Sequence, residues 1–190
     1  MGAGPFAASS KKLAPEALFA YAVRALERRA HTEQELRAKL ERRAAASASV
    51  PETIQRLKGI GYLNDQRTAE SHAYGRREFQ RFGKRRVLNE LQRRGVDLDT
   101  AKQTVEQAYS EVDEIDLIRE HLRRKLSCDP DAQLKDRKQF AKLVRNLQGA
   151  GFTSGKIIEA LGKVVAEPEW LDGLEERLAE SAEAAAESSE

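Results

Sequence analysis

The sequence predicts an all-α protein of three tandem three-helix units, resembling helix-turn-helix repeats, in an elongated and curved arrangement. Three observations lead there. Ala, Leu, Glu, Arg, Lys and Gln dominate the 190 residues and strand formers are sparse. Those residues lose little rotamer freedom in a helix. Apolar residues recur every three or four positions, the spacing of one helix face. A short pattern (Leu, three residues, Gly, apolar residue) also returns along the chain.

Taken in order, residues 1–14 are small and polar without periodicity and are expected to be disordered. Pro15 suits the first turn of a helix, where its missing N–H costs nothing. Leu18, Ala22 and Leu26, beside Phe19 and Val23, form its apolar stripe. "HTEQELRAKLERR" opens with Thr32 and Glu35, the spacing of a capping box, and Leu36 and Leu40 face inward. "AAASAS", Ala44 to Ser49, is a small-residue connection. Pro51 is expected to open the next helix, with Ile54 and Leu57 on its buried side.

That helix stops at "GYLND". Gly61 stands where a helix end needs a left-handed residue, which Gly adopts without a Cβ clash. Tyr62 or Leu63 can fold back onto the last turn, and Asn64 or Asp65 can accept the free N–H groups of the following helix. The five residues Gly61, Tyr62, Leu63, Asn64 and Asp65 therefore form a structural turn rather than a reactive one.

The same pattern recurs as "LKGIGY" at 57–62, "LQRRGV" at 91–96 and "LQGAGF" at 147–152. Leu40, Leu91 and Leu147 share one register and lie 51 and 56 residues apart. A period near 50 with helix-turn-helix content predicts tandem units. The expected divisions are 15–61, 62–112 and 113–166, followed by an acidic tail, 167–190. The tail carries nine acids against one Arg, a net of −8, which leaves +10 on residues 1–166. A basic body points to an anionic partner, while the tail is expected to be mainly solubilising.

Catalytic chemistry is not indicated. "GAGFTSGKI", 149–157, falls short of a phosphate-binding loop, because Ala150 and Ile157 occupy positions that need Gly and a hydroxyl. His31, His72 and His121 are scattered among polar neighbours and are expected on the surface. The single cysteine, Cys128, can build neither a disulfide nor a metal cage alone. Neither metal nor cofactor is expected. No signal peptide or membrane-length apolar run is evident, so the expected location is cytoplasmic.

The remaining feature is "GRREFQRFGKRRVLNELQRRG", 75–95. Arg76, Arg77, Arg81, Lys84, Arg85, Arg86, Arg93 and Arg94 face only two acids, Glu78 and Glu90. Phe79, Phe82, Val87, Leu88 and Leu91 are expected to form the buried side. Such a charge density suits a phosphate backbone or an acidic protein groove. Few side chains are placed to read base edges, so sequence-specific DNA recognition is not indicated.

"SVPETIQRLKGIGYLNDQRTAES" followed by "FGKRRVLNELQRRGVD" resembles the RecX family of bacterial recombination regulators. In that family a helix ending in Leu-x-x-x-Gly-Tyr-Leu-Asp-Asp leads into a helix with a Phe-Ala pair. A Gly-x-x-Arg/Lys segment follows, with Leu and a terminal Gly-Val/Ile. "ALERRAHTEQELRAKL", 25–40, is similar to the family's first unit, and "LVRNLQGAGFTSGKIIEAL", 143–161, to its third. The departures are Asn64 for the first Asp, Thr68 where Phe is common, the "AAASAS" insertion and the acidic tail.

The resemblance implies a non-enzymatic regulator that binds the RecA filament on single-stranded DNA. It would lie in the filament groove and limit filament growth, ATP hydrolysis, strand exchange and repressor cleavage. Separately, a monomer with weak direct DNA binding and no membrane association is expected. The competing expectation is a helix-turn-helix nucleic-acid-binding regulator acting without RecA.

Overall fold

The computed structural model describes residues 12–125, 133, 136–165, 168–171 and 174. Most of the expected disordered arm, all of Cys128 and most of the acidic tail lie outside the described residues. Among the described residues the secondary structure is helical. The helices are α1 (Pro15–Arg28), α2 (Glu33–Glu41), α3 (Ser49–Gly59), α4 (Asp65–Gly75), α5 (Lys84–Arg93), α6 (Leu98–Tyr109), α7 (Glu114–Lys125), α8 (Arg137–Gly149) and α9 (Ser154–Gly162). A π-helical stretch, Arg76–Gln80, separates α4 from α5.

The described residues fall into two compact units. One holds the chain up to Ala69 together with Gln92–Asp97, and the other holds Glu70–Leu91 and the chain from Leu98 onward. The division passes through α4 and α5.

In the first unit, α1, α2 and α3 pack pairwise. Leu18, Ala22, Leu36, Leu40, Ile54, Leu57 and Leu63 are buried together. Pro15 stands at the start of α1. The capping box forms as the sequence indicates: the Thr32 hydroxyl accepts the Glu35 N–H, and the Glu35 carboxylate accepts the Thr32 N–H. Two details differ from expectation. The third helix begins at Ser49 rather than Pro51, since the Ser49 N–H and hydroxyl bond to the Ala46 carbonyl and start the turn earlier. Leu13 is paired with the small-residue connection, donating to Arg43 O at 2.7 Å and accepting from Ala45 N at 2.9 Å.

The "GYLND" turn has the anticipated geometry. Gly61 is left-handed, with φ 72°. The Gly61 N–H donates to Lys58 O and the Tyr62 N–H to Leu57 O, each at 3.0 Å, which closes a Schellman cap. Leu63 is the residue that returns to the core, while Tyr62 stays exposed. Asn64 accepts the Arg67 N–H at 2.9 Å and so caps α4. Asp65 does something else: its carboxylate accepts the Glu33 N–H at 2.8 Å, across to the start of α2.

In the second unit α9 packs on α7 and α8. Its buried residues include Val87, Leu91, Val105, Tyr109, Ile118, Leu147, Phe152 and Ile157. "GAGFTSGKI" is a helix-to-helix turn: the Phe152 N–H donates to Leu147 O at 3.2 Å and the Gly151 N–H to Gln148 O at 2.8 Å. Gly151 is left-handed as well, φ 91°.

Two histidines depart from expectation. His31 and His121 are buried rather than superficial. The His31 Nδ1 lies 2.9 Å from Arg29 O. The His121 ring sits against Phe152, with centroids 5.8 Å apart, and its Nδ1 lies 3.0 Å from Arg81 O. In each case a backbone carbonyl supplies the partner that a buried imidazole requires.

Candidate partner-binding surface

The eight cations that the sequence presents as one basic stretch are divided between the units: Arg76 to Arg86 belong to the second and Arg93 and Arg94 to the first. Most are engaged by carboxylates or carbonyls of the fold.

The second unit is organised around Glu90. This carboxylate pairs with Arg76 at 2.6 Å, Arg86 at 3.1 Å and His72 at 2.9 Å. Burial pushes the Glu90 carboxyl up, but the Arg86 hydrogen bond, the Arg76 charge and His72 outweigh it and hold it below the usual carboxylate range. Arg86 also donates to Gly149 O at 2.9 Å and lies over the Phe82 ring at 3.7 Å. One guanidinium thus joins α5, the end of α8 and an aromatic ring.

Arg81 is the most enclosed of the group, with its side chain 13% exposed. It is a non-glycine residue in the left-handed region, φ 54°, a conformation that needs support from its surroundings. Support comes from Glu120 at 2.5 Å, Glu78 at 3.2 Å and Arg77 O at 3.2 Å. Arg77 pairs with Glu78, donates to Ala108 O and lies over the Tyr74 ring at 5.1 Å. Lys84 pairs with Glu106 at 3.0 Å.

Arg85 is exposed, and no side-chain partner holds it among the described residues. In the first unit Arg93 is likewise exposed and without a partner among the described residues. Arg94 is clamped instead: it reaches the two oxygens of Glu35 at 3.0 and 3.2 Å and Ala30 O at 3.2 Å. Its own carbonyl accepts the Thr32 hydroxyl. Burial raises the Glu35 carboxyl, but the hydrogen bond and charge of Arg94, with the Thr32 N–H and Arg29, bring it below its ordinary value.

Phe79 corrects the expected buried side. It is 74% exposed, whereas Val87 and Leu91 are fully buried and Phe82 and Leu88 are half-buried. The π-helical stretch and the left-handed Arg81 break the 3.6-residue register, so a residue that spacing assigns to the core turns outward.

No described helix is long and apolar enough to cross a membrane. No group of three or more potential metal ligands occurs among the described residues.

Short helices, several of them linked through the left-handed glycines Gly61, Gly95 and Gly151 and carrying a surface of paired and free cations, define an all-helical protein of helix-turn-helix-like units. Two family models match the chain. Residues 19–57 match the first three-helix domain of RecX, and residues 64–105 match its second three-helix domain. The regulatory protein RecX of Trichlorobacter lovleyi is 31% identical over 149 residues, covering 78% of this chain and 96% of that protein. The chain belongs to the RecX family. The Deinococcus radiodurans regulatory protein RecX is 43% identical over 91 residues, which are 48% of this chain and 43% of that protein. A crystal structure of RecX from Lactobacillus salivarius shares the fold with a TM-score of 0.63 at 20% identity, covering 79% of this chain and 96% of that one.

Proposed function

We propose that the protein is a non-enzymatic, cytoplasmic regulator that binds the RecA filament on single-stranded DNA. It acts mainly by inhibition of RecA ATP hydrolysis, strand exchange and co-protease activity. The observation that carries the reading is membership of the RecX family, with a relative matched over 96% of its length. The functional modules under this reading are 15–61, 62–112 and 113–166.

Within the basic stretch, Arg85 and Arg93 are the cations assigned to the partner. Arg76, Arg77, Arg81, Lys84, Arg86 and Arg94 hold the shape from which they project, since an ion already paired inside the fold offers a partner little further attraction. The reading is tested by titrating the protein into a RecA ATPase assay on single-stranded DNA. Hydrolysis should fall with added protein; an unchanged rate at saturating protein would overturn it. A regulator acting on nucleic acid without RecA would bind bare and RecA-coated strands alike. Preference for the coated strand at physiological salt is the expected result.

A further inference from the structure

A run of unpaired positive charge on the described surface lies outside the stretch that the sequence singles out. α8 has 13 residues and neither Asp nor Glu, yet it carries Arg137, Lys138, Lys142 and Arg145. The chain as a whole nearly balances, with 33 Lys and Arg against 31 Asp and Glu. All four cations are exposed, and none has a side-chain partner among the described residues. Phe140, Leu143, Val144 and Leu147 are buried on the opposite side of the helix. The outer face is therefore fixed: Lys138, Lys142 and Arg145 follow one another at spacings of four and three and lie along one line. Gln139 and Asn146, also exposed, add amide groups beside that line.

The start of α8 also breaks a local rule. Its first two positions are Arg137 and Lys138, where the helix dipole favours acids. α1, α2, α3, α4, α6 and α7 all have an acid in the first turn. Asp136, the cap before α8, accepts the Lys138 N–H at 2.8 Å. Cations placed against the dipole, without internal partners, are unfavourable for the isolated fold and favourable once an anion arrives. The contrast with α5 is instructive. That helix also starts with cations, but Lys84 and Arg86 are met by Glu106 and Glu90.

We propose that the outer face of α8 binds the phosphate backbone of nucleic acid. The assignment deepens the function proposed above, from which it takes the class of partner, and places a contact in the third module. From Lys138 to Arg145 the line is about 10 Å long, the rise of about three nucleotides of one strand. A line of point charges and amides without an aromatic platform contacts phosphate without reading sequence.

The test is fluorescence anisotropy of a labelled thymidine oligonucleotide with the full chain over a range of salt. Parent protein is compared with K138A/K142A/R145A, with the charge-preserving K138R/K142R/R145K and with Arg145→Ala alone. Removing one phosphate-bound cation should reduce the slope of log affinity against log salt by about 0.7 on a single strand. The triple alanine variant should thus lose about 2 from the slope and bind at least about tenfold more weakly at low salt. Arg145→Ala should lose about 0.7, and the charge-preserving variant should match the parent. Circular dichroism confirms that each variant is folded. A slope unchanged in folded triple and single alanine variants, or a parent that does not bind the oligonucleotide, would overturn the assignment. RecA ATPase inhibition by the same proteins separates the two readings. A parent that binds DNA through α8 but leaves RecA unaffected sinks the proposed function only. A triple alanine variant that inhibits RecA and keeps the parental slope sinks the α8 site only.

Discussion

The carboxylate of Asp65 accepts the backbone N–H of Glu33 at 2.8 Å, so the first residue of α4 satisfies a free donor at the start of α2. Glu33 faces outward to Lys58 and Arg37, whose hydrogen bonds hold its carboxyl below the ordinary range. Asp65 is pushed the other way, by burial first and by the Glu33 charge as well, against the lowering effect of the Glu33 N–H. Asp65→Ala should cost about 1–2 kcal/mol, because it leaves a partly buried N–H without an acceptor. Asp65→Asn keeps an amide oxygen in place and should cost less. Urea unfolding of the two variants decides the matter, and equal losses would remove the hydrogen bond as the cause.

Gly61 and Gly151, both left-handed, can be separated by what surrounds them. A Cβ on Gly61 meets nothing within 4 Å, so Gly61→Ala carries only the backbone penalty, about 1–2 kcal/mol. A Cβ on Gly151 would overlap the Arg86 backbone, which has no rotamer to yield. Gly151→Ala should therefore be the more damaging by at least about 1 kcal/mol, through displacement of α5 from the α8–α9 turn. Matching unfolding midpoints would show that the turn relaxes freely.

The local part of the fold is legible in the sequence. Thr32 and Glu35 cap a helix through groups three residues apart. Gly61 and Tyr62 close one by bonding to Lys58 and Leu57, three and five residues back, and Leu18 and Ala22 share a face by spacing alone. The site was readable only as a charge excess. Which cations are free depends on carboxylates far away in the chain: Glu35 meets Arg94 across 59 residues, and Glu120 meets Arg81 from another helix. No sequence period encodes those pairs. Phe79 departs from its spacing because an irregular stretch shifts the register, and His31 and His121 are buried with backbone carbonyls at Nδ1, contacts that leave no trace in residue type. The α8 cations were visible as residues. A net count over a single 13-residue helix would have flagged them.

His31 should make stability depend on pH in the near-neutral range. Burial lowers its imidazole pKa from 6.5 and the charges of Arg29 and Lys39 act the same way, outweighing the Arg29 carbonyl and Glu35. The folded state thus takes up the proton less readily than the unfolded chain. Stability from this group is complete above pH 6.5 and is lost as pH falls from there toward the folded value. The depressed carboxyls of Glu33, Glu35 and Glu90 lose their contribution only below about pH 4.5, and Asp65, raised, has the opposite sign in the acid range. The urea midpoint should drop between about pH 7.5 and pH 5.5, and less so in His31→Gln. Parallel profiles for variant and parent would show that His31 is not the cause of the drop.

The basic stretch should divide into cations that act on the partner and cations that act on the fold. Arg85 and Arg93 are exposed and unpaired among the described residues, so R85A/R93A should stay within about ±0.5 kcal/mol of parental stability. Arg94 is different: its side chain is 19% exposed and its guanidinium bridges the two oxygens of Glu35 and the Ala30 carbonyl. Arg94→Ala removes a bidentate, charge-assisted contact and should cost about 1–3 kcal/mol. The functional order should be the reverse. R85A/R93A should need several-fold more protein to inhibit RecA ATP hydrolysis while remaining fully folded. Arg94→Ala should lose inhibition only in proportion to its unfolded fraction, and cooling into its folded range should restore it. Parental inhibition by a folded R85A/R93A would move the partner contact off α5. A folded Arg94→Ala that failed to inhibit would show that the clamp itself belongs to the binding surface.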